Sequence, residues 1–472
     1  MKRVLWTLAL VLLVLAGAVG ALLLRELRGA GDGAGDGPSV AQAADAAPIA
    51  ASAASAPAPV AATVAAPVGA AAADLRARGA YLARVGNCMG CHTARGGAPY
   101  AGGRPIETPF GTLYGPNLTP DAQTGLGRWT AQDFWRALHY GRARDGRLLY
   151  PAFPYPDYTH VTRADADAIY AYLQSLPPVA QPNRAHALRF PYDTQLALAA
   201  WRVLFFTPGR GDGAAADPAR GAQWNRGAYL VNGLAHCGAC HTPRNALGAS
   251  QASRALGGGL IPGQNWYAPA LDAASETGVA HWPLDDVVAL LRTGVTRAAS
   301  APPVASTAAQ ASVSGPMAEV VFHSTQYLSD ADAHAIAAYL QALPERAAPP
   351  APPAPPIAAP PRRLMQRGAE IYHDHCAQCH GTQGQGERGA FPALAGNRAV
   401  LLAEPTNLVR MILQGGYAPA TAGNPRPYGM PPYHQLLGDE DVAAVATFVR
   451  NAWGNHAAAL DTIDVYHVRE RR

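Results

Sequence analysis

Lysine is nearly absent from this chain: Lys2 is the only one, and the remaining positive charge is arginine. Charge as a whole is thin, at 15% of residues against roughly 25% in ordinary globular chains. The formal balance is only +4 over 472 residues, which excludes a nucleic-acid binder, because such a protein needs a dense basic face to displace counterions. There is a single long apolar run, so a polytopic transporter is excluded as well. No nucleophile–base pair, Gly-rich nucleotide loop or second metal motif occurs, and no convincing run of strands. Cysteine is limited to six residues. Proline is in excess, with 42 residues where about half that share is usual, which marks nonglobular spacers. The length allows about two to four domains.

The apolar run, Val4 to Leu24, is 21 residues without a charge, enough for a helix to cross a hydrocarbon core of about 30 Å. A cleaved signal peptide is the competing reading, although its apolar region is usually only about 7 to 15 residues. Residues 1–28 are therefore expected to be a membrane anchor or signal. Residues 29–73 are an Ala/Pro/Gly-rich tether without aromatic, Lys or Arg side chains, unable to bury enough apolar area to offset ordering entropy. Residues 346–361 form a Pro-rich linker that favours extended polyproline geometry. The stretch Thr296 to Ser314 reads as a surface loop. The ordered blocks are then 74–195, 196–345 and 362–457, followed by a tail over 458–472.

Each block opens on a related phrase: Arg78-Gly79-Ala80-Tyr81-Leu82, Arg226-Gly227-Ala228-Tyr229-Leu230 and Arg367-Gly368-Ala369-Glu370-Ile371-Tyr372. Nine to eleven residues after each Arg come Cys88-Met89-Gly90-Cys91-His92, Cys237-Gly238-Ala239-Cys240-His241 and Cys376-Ala377-Gln378-Cys379-His380, which consume all six cysteines. Each block closes on an apolar-periodic helix with an acidic start, at Asp165, Asp330 and Asp439. Thr162 with Asp165 and Ser329 with Asp332 read as helix N-caps, and Pro177 and Pro344 mark helix ends. The repetition predicts three small α domains.

Cys-x-x-Cys-His is the attachment sequence for c-type haem, with two thioethers to the cysteines and the histidine beneath the iron. Zinc would need four ligands gathered per site, and each block supplies one Cys pair; a thioredoxin-like pair would need a βαβ setting. Three covalently bound haem c groups are therefore expected, with His92, His241 and His380 as proximal ligands. Because such haems are attached on the outer side of the bacterial inner membrane, the haem domains are expected in the periplasm, with Lys2 and Arg3 cytoplasmic.

Small class I cytochromes c take their second iron ligand from a Met before the last helix. Met317 in Ser314-Gly315-Pro316-Met317 and Met430 in Tyr428-Gly429-Met430-Pro431-Pro432 hold that position, each in a Pro/Gly-rich loop, whereas Met365 and Met411 read as packing. The first block has Phe153 there, which cannot ligate iron. Its haem is either five-coordinate or ligated by another residue, with His160 the nearest candidate and His139 behind it. In cytochromes of this type a carbonyl from a Pro-containing loop commonly holds the proximal His, and Pro116, Pro269 and Pro392 are the candidates.

With these features the chain resembles the trihaem cytochrome c subunits of bacterial membrane-bound dehydrogenases acting on alcohols, gluconate or aldehydes. The phrases that carry the resemblance are Trp224 to Leu230, His236 to Asn245, Gly315 to Val321 and Phe448 to Asn455. The resemblance implies an all-α fold with three tandem class I cytochrome c domains behind an N-terminal transmembrane helix. It also implies electron transfer from a catalytic dehydrogenase subunit to ubiquinone or the respiratory chain. Pro151-Ala152-Phe153-Pro154-Tyr155 looks more like cytochromes that accompany molybdenum hydroxylases of aldehydes or N-heterocycles than like those of quinoprotein or flavoprotein dehydrogenases. A reading of another class is a haem enzyme using an open first haem, and a third is a docking scaffold.

Overall fold

The structure is a computed structural model that describes residues 17, 20–28, 68–212, 216–297, 310–346 and 359–470. Most of the apolar run, most of the tether, most of the Pro-rich linker and the middle of the Thr296–Ser314 loop lie outside the described residues. The chain divides into two compact units, residues 1–106 with 110–215, and residues 107–109 with 216–472.

In the first unit, helix α1 (Val68–Val85) runs into the short helix α2 (Cys88–His92). It is followed by α3 (Ala131–Tyr140), α4 (Tyr155–Tyr158), α5 (Arg163–Gln174) and α6 (Gln195–Phe205). In the second unit, α7 (Ala222–Tyr229) continues as a π turn, Leu230–Leu234, towards α8 (Gly238–His241). Then come α9 (Leu284–Thr293), α10 (Gly315–His323) and α11 (Asp330–Gln341). The last repeat consists of α12 (Arg362–His375), α13 (Ala377–His380), α14 (Arg398–Leu401), α15 (Thr406–Gln414), α16 (Asp439–Asn451) and α17 (Thr462–Glu470).

The repeated Arg-Gly phrase has a physical cause in this arrangement. In each repeat the first helix crosses the last: α1 on α5, α7 on α11, and α12 on α16. The glycine lies at the crossing, where a Cβ would come within 1.8 Å of the Ala168 carbonyl oxygen at Gly79, 2.0 Å of that of Ala335 at Gly227, and 2.3 Å of that of Ala444 at Gly368. Only glycine lets the helices approach so closely. The neighbouring arginine ties the same crossing: Arg78 Nε donates to Asp165 at 3.0 Å and Arg367 Nε to Asp441 at 2.8 Å, and Arg226 makes a fork onto Asp332 at 2.7 and 2.8 Å. Those carboxylates sit in the first turn of the last helix, where the helix dipole favours negative charge. The expected caps form: Thr162 accepts from the Asp165 amide at 3.2 Å and Ser329 from that of Asp332 at 3.1 Å.

The expected fold class needs correcting in two respects. The repeats are not all helix, because the segments after the cysteine motifs turn back as short antiparallel ladders. Strand β1 (Gly111–Tyr114) pairs with β2 (Ala187–Leu188), β3 (Gly257–Ile261) with β4 (Trp266–Ala270), and β5 (Gly416–Tyr417) with β6 (Gly429–Met430). The N-terminal transmembrane helix is the second correction: among the described residues no helix is long and apolar enough to cross a membrane. The described end of the apolar run, a helix over 20–28, is built into the first unit. Leu23 packs against Leu148, Leu198 and Ala199, and Glu26 accepts from Arg202 Nε at 2.6 Å. Arg142 and Arg202 are both buried and share this carboxylate, which offsets part of the cost of removing two guanidinium groups from water.

Gly227→Ala is expected to destabilise the protein by about 1–3 kcal/mol through overpacking. Within an ordinary helix the same change stabilises by about 1 kcal/mol, so the sign of the shift in thermal unfolding midpoint checks the crossing directly.

Candidate functional site

Each cysteine pair is placed by one short helix that follows the crossing helix without a long connection. In the first two repeats the residue before the first cysteine is left-handed, Asn87 with φ 50° and His236 with φ 39°, which turns the chain sharply into the motif. None of the six cysteines is joined in a disulfide. Burial, and then the neighbouring Cys91, push the Cys88 thiol up to about 12; burial followed by Cys379 raises Cys376 to about 11.

The three histidines share one geometry. His92 Nδ1 lies 2.8 Å from the Pro116 carbonyl oxygen, His241 Nδ1 2.8 Å from that of Pro269, and His380 Nδ1 2.9 Å from that of Pro392. A carbonyl oxygen only accepts, so Nδ1 carries the proton and donates, and the lone pair is left on Nε2. Burial lowers the pKa of each imidazole, and the hydrogen bond to the proline carbonyl partly opposes it. All three anticipated proline loops supply the acceptor. Two cysteines three residues apart, followed by a histidine oriented through its Nδ1, form a donor set that fits haem c.

The distal segments differ between repeats. Met317 is the third residue of α10, not part of a loop, with Pro316 in the helix's first turn. Met430 lies on β6, partly buried against the core of the last repeat. Met365 and Met411 lie on α12 and α15. In the first repeat the Phe153 ring packs on Tyr158 at 5.5 Å, and the Tyr158 hydroxyl donates to the Gly86 carbonyl at 2.9 Å, two residues before Cys88. The last repeat does the same: Tyr433, three residues after Met430, donates its hydroxyl to the His375 carbonyl at 2.8 Å, next to Cys376. Burial is the main cause of the raised pKa of both tyrosines, and the motif cysteines add to it. These two tyrosines tie the distal segment to the attachment motif. Sequence reading missed them, although their recurrence a few residues after Phe153 and Met430 was the available signal.

His160 follows α4, is half-buried, and has a pKa lowered by burial. Its Nδ1 would lie 3.3 Å from a Cβ placed on Gly209, so the imidazole faces that segment. His139 is a core residue, 1% exposed, with Nε2 3.1 Å from the Gly209 carbonyl and its ring stacked on Trp135 at 4.5 Å. Among the contacts described for this loop, the one that reaches the Cys88 motif belongs to Tyr158.

The sequence model of the family described as Cytochrome c matches residues 76–177 and 365–453. The chain is 38% identical over 409 residues to the alcohol dehydrogenase (quinone) cytochrome c subunit of Gluconobacter oxydans, covering 83% of this chain and 81% of that protein. It is 38% identical over 408 residues to the gluconate 2-dehydrogenase cytochrome c subunit of Pantoea cypripedii, covering 83% and 89%. It is also 39% identical over 394 residues to a nicotinate dehydrogenase subunit of Pseudomonas putida, covering 81% of this chain and 31% of that protein.

With haem c attached at Cys88 and Cys91, Phe153→Met is expected to give a thioether-to-iron absorption band and a higher potential, read by redox-poised optical spectra. An unchanged spectrum would show that Phe153 does not occupy the position of the distal Met.

Proposed function

The chain belongs to the cytochrome c subunits of bacterial dehydrogenases, and from that premise we propose that it holds three haem c groups and carries electrons from a catalytic dehydrogenase partner to ubiquinone. The observation that carries the reading is the threefold recurrence of a Cys-x-x-Cys-His motif whose histidine is held by a proline carbonyl. Haem c bound at these residues supplies a one-electron ferrous/ferric couple. Cys88 and Cys91, Cys237 and Cys240, and Cys376 and Cys379 are the thioether donors. His92, His241 and His380 present Nε2 as proximal ligands, and Met317 and Met430 are the distal ligands of the second and third sites. His160 is retained as the candidate for the first. The proline-held imidazoles and, in the first and last repeats, the tyrosine ties hold these donors in place, which is how a protein tunes a cofactor that brings its own chemistry.

Two features favour a partner that oxidises aldehydes or N-heterocycles with a molybdenum cofactor. Phe153 replaces Met in the first distal segment, and one relative is part of a nicotinate dehydrogenase, whose substrate name denotes an N-heterocycle. The relatives from alcohol and gluconate dehydrogenases support a quinoprotein or flavoprotein partner as the second reading. The quinone in the name of the alcohol dehydrogenase relative supports ubiquinone as acceptor. The haem domains are assigned to the periplasm, where haem c is attached.

Copurification of the native complex followed by cofactor analysis separates the two partner readings: molybdenum supports the first, pyrroloquinoline quinone or flavin the second. Within that complex, replacing Cys376 and Cys379 by Ala is expected to abolish substrate-to-quinone activity while the partner still reduces an artificial acceptor. Quinone reduction at the wild-type rate would contradict the carrier reading.

A further inference from the structure

The second and third repeats lie in one compact unit, and strand β4 packs against α15 where they meet. At one end of β4 the Pro269 carbonyl accepts from His241, on the proximal side of the second site. At the other end Trp266 lies against Gly315, two residues before Met317: a Cβ on Gly315, whose φ is 52°, would sit 2.6 Å from the indole ring. Tyr267, between them, exchanges two backbone hydrogen bonds with the Asn407 side chain on α15, its amide donating at 2.8 Å and its carbonyl accepting at 2.7 Å. The guanidinium of Arg410, one turn further along α15, lies over the Trp266 ring at 5.2 Å.

Through the end of its own helix, Arg410 is linked to the third site as well. Its Nη2 donates to Gln414 Oε1 at 3.0 Å, and the next residue, Gly415, abuts the distal segment so closely that a Cβ there would lie 2.2 Å from the Met430 carbonyl oxygen. One buried cation, 8% exposed, therefore stands between the segments that carry Met317 and Met430. The carboxylates nearest this strand hold bonds of their own: Glu276 accepts from the Tyr267 hydroxyl at 2.8 Å and the Ala270 amide at 2.6 Å, and Glu404 accepts from the Thr406 amide at 3.2 Å. Burial pulls the guanidinium pKa down. Arginine nevertheless stays protonated in proteins.

We propose that Arg410, stacked on Trp266, is a positioning and electrostatic residue shared by the second and third haem sites, raising the midpoint potential of both. The proposal rests on the haem reading above. A ferric haem carries one more positive charge than a ferrous one, and a buried cation nearby disfavours it where the effective dielectric is low. Transfer between the two sites makes and breaks no bond: one electron leaves the ferrous iron of one site as it enters the ferric iron of the other. A single charge acting on both sites raises them together and keeps the difference between them small. Trp266 supplies the flat surface that holds the guanidinium in place, and it has no counterpart in the other repeats, where Leu113 and Gly389 stand three residues before the acceptor proline.

The test is redox titration of the haem-loaded chain, following the His/Met-ligated signals by optical and EPR spectra. Arg410→Gln is expected to lower the potentials of the second and third haems, whereas Arg410→Lys, which keeps the charge, is expected to hold them near the wild-type values. Arg410→Met replaces the Gln variant if that variant loses haem. Unchanged potentials in the charge-free variants, or a fall in Arg410→Lys as large as in Arg410→Gln, would overturn the proposal. A pyridine haemochrome count on the wild type reads the underlying assignment separately: fewer than three haems per chain defeats the haem reading whatever the arginine does.

Discussion

A proline carbonyl 2.8–2.9 Å from a histidine Nδ1 is the constraint to which the other features of each site answer. It assigns the proton to Nδ1, frees Nε2 as a ligand and fixes the plane of the ring. For that bond to form, the loop after the cysteine motif must return to it. This is why the loop contains short ladders such as β3–β4, and why glycine is frequent there. The motif in turn must leave the crossing helix at a set angle, which the Gly79, Gly227 and Gly368 crossings and their Arg–Asp ties provide.

Much of this was legible in the sequence. The Arg-Gly phrases, the cysteine motifs and the capped last helices have local signatures, so their register follows from spacing alone. The proline acceptors are legible too, because a Pro-Asn or Pro-Ala pair recurs after each motif. The hairpins are not. Gly257-Gly258-Gly259 has low strand propensity, and its pairing with Trp266 to Ala270 is set by the tertiary demand on Pro269. Met317 reads as a loop residue in sequence, yet Pro316 suits the first turn of a helix and α10 begins at Gly315.

Two other features depend on partners far away in sequence. The apolar run reads as a spanning helix when only its composition is considered. Its described end is instead tied down by Leu23 and by Glu26, which meets Arg142 and Arg202 more than a hundred residues away. The phrase ending Trp453-Gly454-Asn455 has the look of a family marker and proves to be structural. Arg450 donates to the carbonyls of Val400 and Leu402 at 2.9 and 2.7 Å, and Asn455 bonds Gly396, Leu394 and Val449. These buried polar side chains satisfy loop backbone that would otherwise be stranded beside the third site.

The picture that results is of one repeated device with three distal variants: Phe153, Met317 on a helix and Met430 on a strand. The proximal geometry is the same in all three repeats, whereas the distal segments differ in both residue and secondary structure. The most direct measurement of the central claim is the intact mass of the mature chain together with its pyridine haemochrome content. The account predicts three covalently attached haem c groups per chain, one lost for each Cys-x-x-Cys pair replaced by Ala. Fewer than three in the wild type, or an unchanged count after one pair is replaced, would contradict it.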